Sequence, residues 1–241
     1  AKHDVEGLLK LASALKEMVQ HSVHSEPGVK VSFVPRTKEA ESLVARVRSQ
    51  LDSLETCNEL TKQQSALLEY ATISGAGKSR WGFEVEHVLK ANLPSASVSR
   101  VALNFNGGTS AGGADGTQAA AWWKTLSPDQ IMAALLLTRG LLQCSPDTLG
   151  GSEAWLRLLT SKTVIDALFH QEGSGTGMPR CQMFLEVHID ELAKLTLTAE
   201  VKPEGHIDST AEVQEHARRL KSLVNPLANY NCSPHGKGLV I

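Results

Sequence analysis

The chain has 241 residues, of which 41% are hydrophobic, 21% charged and 5% aromatic, which fits one large or two small globular domains. Its 24 lysine and arginine residues nearly balance its 26 aspartate and glutamate residues, and a formal charge of -2 argues against a global field that recruits nucleic acid or an anionic membrane. The longest uninterrupted apolar run, at residues 131–137, falls far short of the roughly 20 residues that cross a bilayer, so we expect no membrane-spanning segment.

The four cysteines lie far apart and form no C-x-x-C pair. Such spacing is typical neither of a disulfide-rich scaffold nor of a zinc finger, and it predicts reduced, mostly buried thiols. The chain begins at Ala1 without an initiator methionine, which is also consistent with removal of a leader. We therefore expect an intracellular protein, either cytoplasmic or delivered to an organelle.

Three elements are expected in the first 71 residues. Apolar residues at helical spacing after Asp4 predict an amphipathic helix over residues 5–20, and the alternation of residues 29–33 predicts a short strand. A long helix is predicted over residues 37–71, because its apolar positions step by four and three as in a heptad repeat. The side chains of this seam are predicted to pack against another helix, of this chain or of a partner: Val44, Val47, Leu51 and Leu54.

A shorter helix around residues 81–89 and a second strand over residues 101–105 complete a helix-rich first part of the chain, residues 1–105. Residues 106–121 hold five glycines and few large side chains, so burial cannot offset the entropy of ordering them. We predict a flexible Gly/Ala-rich loop here and place the boundary between the two parts of the chain in it.

The second part, residues 122–241, is predicted to combine a helical cluster, a β-hairpin and a C-terminal helix. Residues 127–130, Ser-Pro-Asp-Gln, form a capping box with proline at the first helical position, and the apolar run that follows predicts a helix buried on all sides. Two alternating segments, residues 183–189 and 195–201, are so close that an antiparallel hairpin is the economical connection. A second capping box at Ser209 opens the last helix. These elements predict an α+β protein that is helix-rich, with a long heptad-like helix and an antiparallel β-hairpin packed on helices.

Residues 72–79, Thr-Ile-Ser-Gly-Ala-Gly-Lys-Ser, resemble a phosphate-binding P-loop, in which backbone amides hold the phosphates while Lys and Ser meet the terminal phosphate and magnesium. The pattern asks for glycine where this chain has Thr72, and for a buried strand where this chain has the end of a polar helix. The segment 185–191 offers an acid for magnesium, although its alternation is typical of an antiparallel strand. Nucleotide binding is therefore the first alternative function, with the candidate residues Gly75, Gly77, Lys78, Ser79 and Asp190.

No complete catalytic or metal-ligand motif occurs in the sequence. The nine histidines are scattered and form only incomplete ligand pairs. We therefore predict no catalytic residue, no bound metal and no cofactor. A basic face on the last helix makes an RNA-binding module on the hairpin and this helix the second alternative; its residues are His216, Arg218, Arg219 and Lys221.

The favoured hypothesis is a non-catalytic interaction or assembly subunit, whose partner is another protein or a second copy of the chain. It rests on the long helix, whose apolar surface exceeds what its neighbours can cover, and on two adjacent tryptophans, a residue type enriched in binding hot spots. The predicted partner-binding residues are Val44, Val47, Leu51, Leu54, Trp122 and Trp123. We expect no membrane partner, and we do not favour nucleic acid.

Overall fold

The computed structural model describes residues 2–18, 36–57, 60–61, 63–65, 78–105, 113–173, 179–190 and 210–241. Within these residues the chain forms eight α-helices and a three-stranded sheet. The helices are α1 (Lys2–Met18), α2 (Thr37–Cys57), α3 (Lys78–Asn92), α4 (Gly113–Trp122), α5 (Pro128–Leu136), α6 (Glu153–Leu156), α7 (Ser161–Gly173) and α8 (Thr210–Asn231). The strands are β1 (Ser97–Asn104), β2 (Met183–Asp190) and β3 (Leu239–Val240). The predicted strand at residues 29–33 lies outside the described residues.

Two compact units make up the fold. The first unit comprises Ala1–Val23, Ala102–Ile165 and Ile189–Pro226. The second unit comprises His24–Val101, Asp166–His188 and Leu227–Ile241. Each unit is therefore assembled from three separate segments, and neither is a continuous stretch of the chain.

The sheet is parallel and has the strand order β1-β2-β3. Phe184 pairs with Leu239, and Leu185 pairs with Val240. The predicted antiparallel hairpin is therefore wrong for β2, because the neighbouring strands in the described sheet run parallel to it. The predicted second strand of the hairpin, residues 195–201, lies outside the described residues. Alternating side chains indicate that one face of a strand is covered, but they do not specify the direction of the neighbouring strand.

Helix α2 is shorter than the helix predicted over residues 37–71, because it ends at Cys57. The chain then turns back over α2. Two side chains of α2 donate hydrogen bonds to backbone carbonyls of this turn: Arg46 to Gln63 (3.1 Å) and Gln50 to Gln64 (2.6 Å). These bonds satisfy carbonyl groups that a longer helix would have satisfied by itself. The heptad-like pattern cannot anticipate them, because it follows apolar positions only.

Helix α4 lies inside the loop that the sequence predicts to be flexible: residues 113–121 are helical, and residues 106–112 lie outside the described residues. A buried ion pair holds α4 in the first unit. Nε of Arg139 donates to Oδ1 of Asp115 (2.7 Å), and Oδ2 of Asp115 accepts from the backbone N–H of Asn104 (2.9 Å). Residues 113–121 are therefore helical where the sequence predicts a loop, because that prediction counts apolar side chains and gives no weight to a paired buried charge.

Helix α5 is a buried element of the first unit. The predicted capping box is confirmed, since the Ser127 hydroxyl accepts from the N–H of Gln130 (3.3 Å) and the Gln130 side chain accepts from the N–H of Ser127 (2.9 Å). The predicted burial on all sides is confirmed for Ile131 to Leu136. This helix has only nine residues, and among the described residues no helix is both long and apolar enough to cross a membrane.

We expect Asp115→Ala to destabilise the first unit by about 3–5 kcal/mol, since it leaves the guanidinium of Arg139 buried without its anion. Asp147→Ala removes an exposed carboxylate from the same unit and is the matched control; it should change stability by less than about 0.5 kcal/mol. Urea unfolding at neutral pH measures both changes. Equal effects of the two substitutions would contradict the role assigned to the ion pair.

Candidate functional site

Helix α3 approaches strand β2 within the second unit, which contains residues 183–188 of the strand. At one end, Gly82 lies against the imidazole of His188, since a Cβ added at Gly82 would overlap that ring. At the other end, Leu89 and Phe184 belong to the same buried apolar cluster.

The closeness of α3 to β2 requires glycine at position 82. Any side chain there would collide with the imidazole of His188, so the backbone of the helix lies directly against this ring. His188 is near the carboxyl end of β2. The close approach therefore brings the first turns of α3 to the carboxyl end of a parallel strand, which is the edge of such sheets where ligands bind.

A buried acid, Glu186, lies between these two contacts on β2. Its residue is 3% exposed, and neither carboxyl oxygen has a hydrogen-bond partner among the described residues. Glu186 shares one face of the strand with Phe184 and His188, because side chains alternate along a strand. A buried carboxylate without partners is strongly destabilising, whereas the protonated acid is much less so.

The surroundings of Glu186 favour its protonated form. Burial is the main cause that raises the pKa of Glu186 to about 8; Arg100 opposes this shift and Glu86 adds to it. Arg100 is on β1, next to β2 in the sheet, and Glu86 is on α3, one helical turn after Gly82. Oε1 of Glu86 also accepts from Nζ of Lys90 (2.6 Å). At neutral pH, Glu186 therefore carries a proton.

The chemistry open to this site is exchange of a proton. A carboxyl that titrates near neutral pH can donate or accept a proton when its surroundings open. The part of the chain that the structure describes contains no group of three or more histidine, cysteine, aspartate or glutamate side chains that would hold a metal ion. Among the side chains that the structure describes, three cysteines are free thiols: Cys144, Cys181 and Cys232.

A second polar cluster lies at the C-terminal end of α8, also in the second unit. The hydroxyl of Tyr230 donates to Oδ1 of Asp166 (2.7 Å) and accepts from the N–H of Lys237 (2.8 Å). Burial, followed by the charge of Asp166 and this hydrogen bond, raises the pKa of Tyr230. The phenol therefore stays neutral and acts as a structural link between α7 and the residues before β3.

Asn231 closes the outer edge of β3. Its Nδ2 donates to the carbonyl of Val240 (2.7 Å), and its Oδ1 accepts from the N–H of Val240 (2.8 Å). On the inner edge, the N–H of Ile241 donates to the carbonyl of Leu185 (3.0 Å). The asparagine side chain thus takes the place of a further strand and protects the sheet edge from pairing with another chain.

The residues predicted for nucleotide binding are described only in part. Gly75 and Gly77 lie outside the described residues. Lys78 and Ser79 are in the first turn of α3, so a helix N-terminus directly follows the glycines. Asp190 is the last residue of β2. The alternation of β2 counted against a parallel strand ending at Asp190, but β2 is parallel to its neighbours.

Most of the predicted partner-binding residues are covered within the chain. In the second unit, Val44, Val47 and Leu54 are buried, and Leu51 is partly buried. In the first unit, Trp122 is buried and Trp123 is partly buried. The seam of α2 packs on α3 and the sheet, which leaves little of its surface for a partner.

The basic face predicted on the last helix is partly neutralised by an acid. Nε of Arg218 and Nε of Arg219 each donate to Glu215 at 2.7 Å. These two arginines lower the pKa of Glu215 to about 2. The RNA-binding alternative also assumed an antiparallel hairpin, whereas the strands of the described sheet are parallel.

Comparison of this chain with protein-family models, with curated proteins and with solved structures gives no match. Its function is therefore inferred from its own residues and their geometry.

Glu186 is the residue of this site that the sequence did not reveal. The alternation of β2 assigns it to a solvent-facing side, opposite Leu185 and Val187. The structure instead buries Phe184, Leu185 and Glu186 together, and α3 approaches the face that the pattern left open, with Gly82 against His188 and Glu86 acting on Glu186. The one available signal was an acid inside a strand, and an acid by itself indicates exposure.

Gly82→Ala should destabilise the second unit by about 1–3 kcal/mol, because the new methyl group collides with the ring of His188. His188→Ala removes the obstacle, so the double variant should recover most of that loss. Thermal unfolding of the four proteins at neutral pH gives the coupling energy.

Gly7→Ala is the matched control for this substitution, because Gly7 is also helical and has open space around its Cα. It should stabilise the protein by up to about 1 kcal/mol through helix propensity. Strictly additive effects of Gly82→Ala and His188→Ala would contradict the predicted collision.

Proposed function

We propose that the protein binds a phosphate-bearing ligand, such as a nucleotide, at the N-terminus of α3. The observation that carries the proposal is the course of this helix. It begins at Lys78, directly after the glycines, and its second turn, at Gly82, lies against His188 near the carboxyl end of β2. Ligands of parallel sheets bind at that edge, where a helix N-terminus offers unpaired N–H groups and the positive end of its dipole.

The residue types at the start of α3 suit this ligand class. Glycines at positions 75 and 77 allow close approach of a backbone to phosphate oxygens, Lys78 supplies a positive charge and Ser79 supplies a hydroxyl. The parallel direction of β2 removes one objection to the resemblance to a P-loop. Thr72, where the pattern has glycine, remains a departure from it.

Titration of the unmodified protein with ATP and magnesium by isothermal calorimetry tests this function. We expect micromolar binding, and Lys78→Ala should weaken it by about tenfold or more, because it removes the cation that meets the phosphates. Lys38→Ala is the matched control, since Lys38 is an exposed lysine at the start of α2 in the same unit. Absence of ATP binding by the folded protein, or equal losses in both variants, would overturn the proposal.

A second candidate is the interaction or assembly role, which exposed apolar side chains favour. Leu158 is 84% exposed, Val213 is 49% exposed and Leu11 is 42% exposed, and all three belong to the first unit. Burial of each in a contact would contribute about 1.5–3 kcal/mol. This role ranks second because the seam of α2, on which it was based, is covered within the chain.

Light scattering of the purified chain tests self-assembly through Leu158. If a second copy covers this side chain, the unmodified protein should have the mass of an oligomer, and Leu158→Asp should convert it to a monomer with an unchanged circular dichroism spectrum. Ala154→Asp, at another exposed position nearby, is the control and should leave the mass unchanged. An unmodified protein that is monomeric at every concentration would contradict this assembly role.

A further inference from the structure

One stripe of α3 contains the glycine that lies against β2. Gly82, Glu86 and Leu89 are separated by four and three residues, so they lie on the same face of the helix. Gly82 lies against His188, Glu86 acts electrostatically on Glu186, and Leu89 shares the apolar cluster of Phe184. These residues form a layer of side chains between α3 and β2. The middle pair of the layer, Glu86 and Glu186, consists of two acids, and Glu186 is buried without a hydrogen bond.

We propose that Glu186 is a proton-controlled latch for α3: the protonated carboxyl allows the helix to lie on the sheet, and loss of the proton to solvent releases the helix locally. In the closed layer, the ionised form would place a buried charge without a hydrogen bond near the carboxylate of Glu86. Local opening admits water to the carboxylate and increases the separation of the two acids.

The groups that surround the carboxyl determine its response to pH. Arg100 faces it from β1 and favours the charged form, whereas Glu86 faces it from α3 and disfavours that form. His188 continues the same face of β2. Helix α2 and strand β3 contribute Leu43, Val47, Leu54 and Leu239 to the apolar cluster of Phe184 and Leu89. The side chains of α2 that have buried polar atoms, Arg46 and Gln50, donate to the carbonyls of Gln63 and Gln64. Arg100 thus acts against burial and against Glu86, which is itself paired with Lys90 (2.6 Å), and burial is the main reason that Glu186 retains its proton.

Proton linkage gives the direction of the effect. Glu186 has a pKa of about 8 in the closed layer, whereas the ordinary value of a glutamate is 4.5. Between these two pH values the closed state binds more protons than the open state. The equilibrium constant for opening therefore rises with pH, by up to about tenfold per pH unit. The proton on Glu186 stabilises the closed layer fully below about pH 4.5, and this stabilisation is lost as the pH rises to about 8.

Hydrogen exchange of the full chain from about pH 6 to about pH 9, corrected for intrinsic exchange rates, tests the latch. In the unmodified protein, protection of the α3 amides should fall by up to about tenfold per pH unit and level off near pH 8, while α5 keeps its protection. Glu186→Gln should remove this pH dependence in α3. Glu186→Met is a second neutral variant, used if the amide disturbs folding.

Two further variants separate the latch from a general effect of charge on α3. Glu86→Gln removes the facing charge, so the loss of protection should level off at a lower pH. Glu84→Gln, on the same helix, should leave that pH unchanged. A persistent pH dependence in both neutral variants of Glu186, or parallel loss of protection in α3 and α5, would overturn the latch. The measurement needs no nucleotide, so its outcome is independent of the proposed function.

Discussion

The close approach of α3 to β2 is the constraint on which the second unit depends. Glycine at position 82 lets the helix backbone reach the imidazole of His188, and this contact sets which helical residues lie over Glu186. A larger separation would admit water to the carboxyl and return its pKa toward the ordinary value. Because Gly82 has no Cβ, α3 can pack close to β2, and this packing affects the protonation state of Glu186.

The two units show different ways of burying a charged side chain. In the first unit, Asp115 and Arg139 neutralise each other, and Nη1 of Arg139 also donates to the carbonyl of Cys144 (3.2 Å). In the second unit, Glu186 has no such partner among the described residues and is neutral because it keeps its proton. An ion pair compensates desolvation with an opposite charge, whereas protonation removes the charge itself. The protonation of Glu186 changes with pH near neutrality, and in the proposed latch loss of this proton releases helix α3.

Sequence patterns predicted structure correctly where the deciding interactions lie within a few residues of each other. The capping box at Ser127 and the burial of α5 follow from residues within one or two helical turns, and both are confirmed. Such patterns gave a wrong prediction where residues far apart in the chain determine whether a helix forms and where it ends. Helix α2 stops at Cys57 and its side chains bind a returning turn, and α4 is ordered through Arg139, which is 24 residues from Asp115.

Of the candidate site, the sequence by itself determined the glycines before Lys78 and the strand character of β2, because these depend on short patterns of residue type. Only the tertiary structure decided that the sheet is parallel, that Glu186 is buried and that Gly82 of α3 lies against His188 of β2. Each of these properties comes from contact between residues as distant in the chain as Gly82 and His188. No period of two or of 3.6 residues encodes which distant element will cover a given face, since that choice depends on the packing of the whole unit.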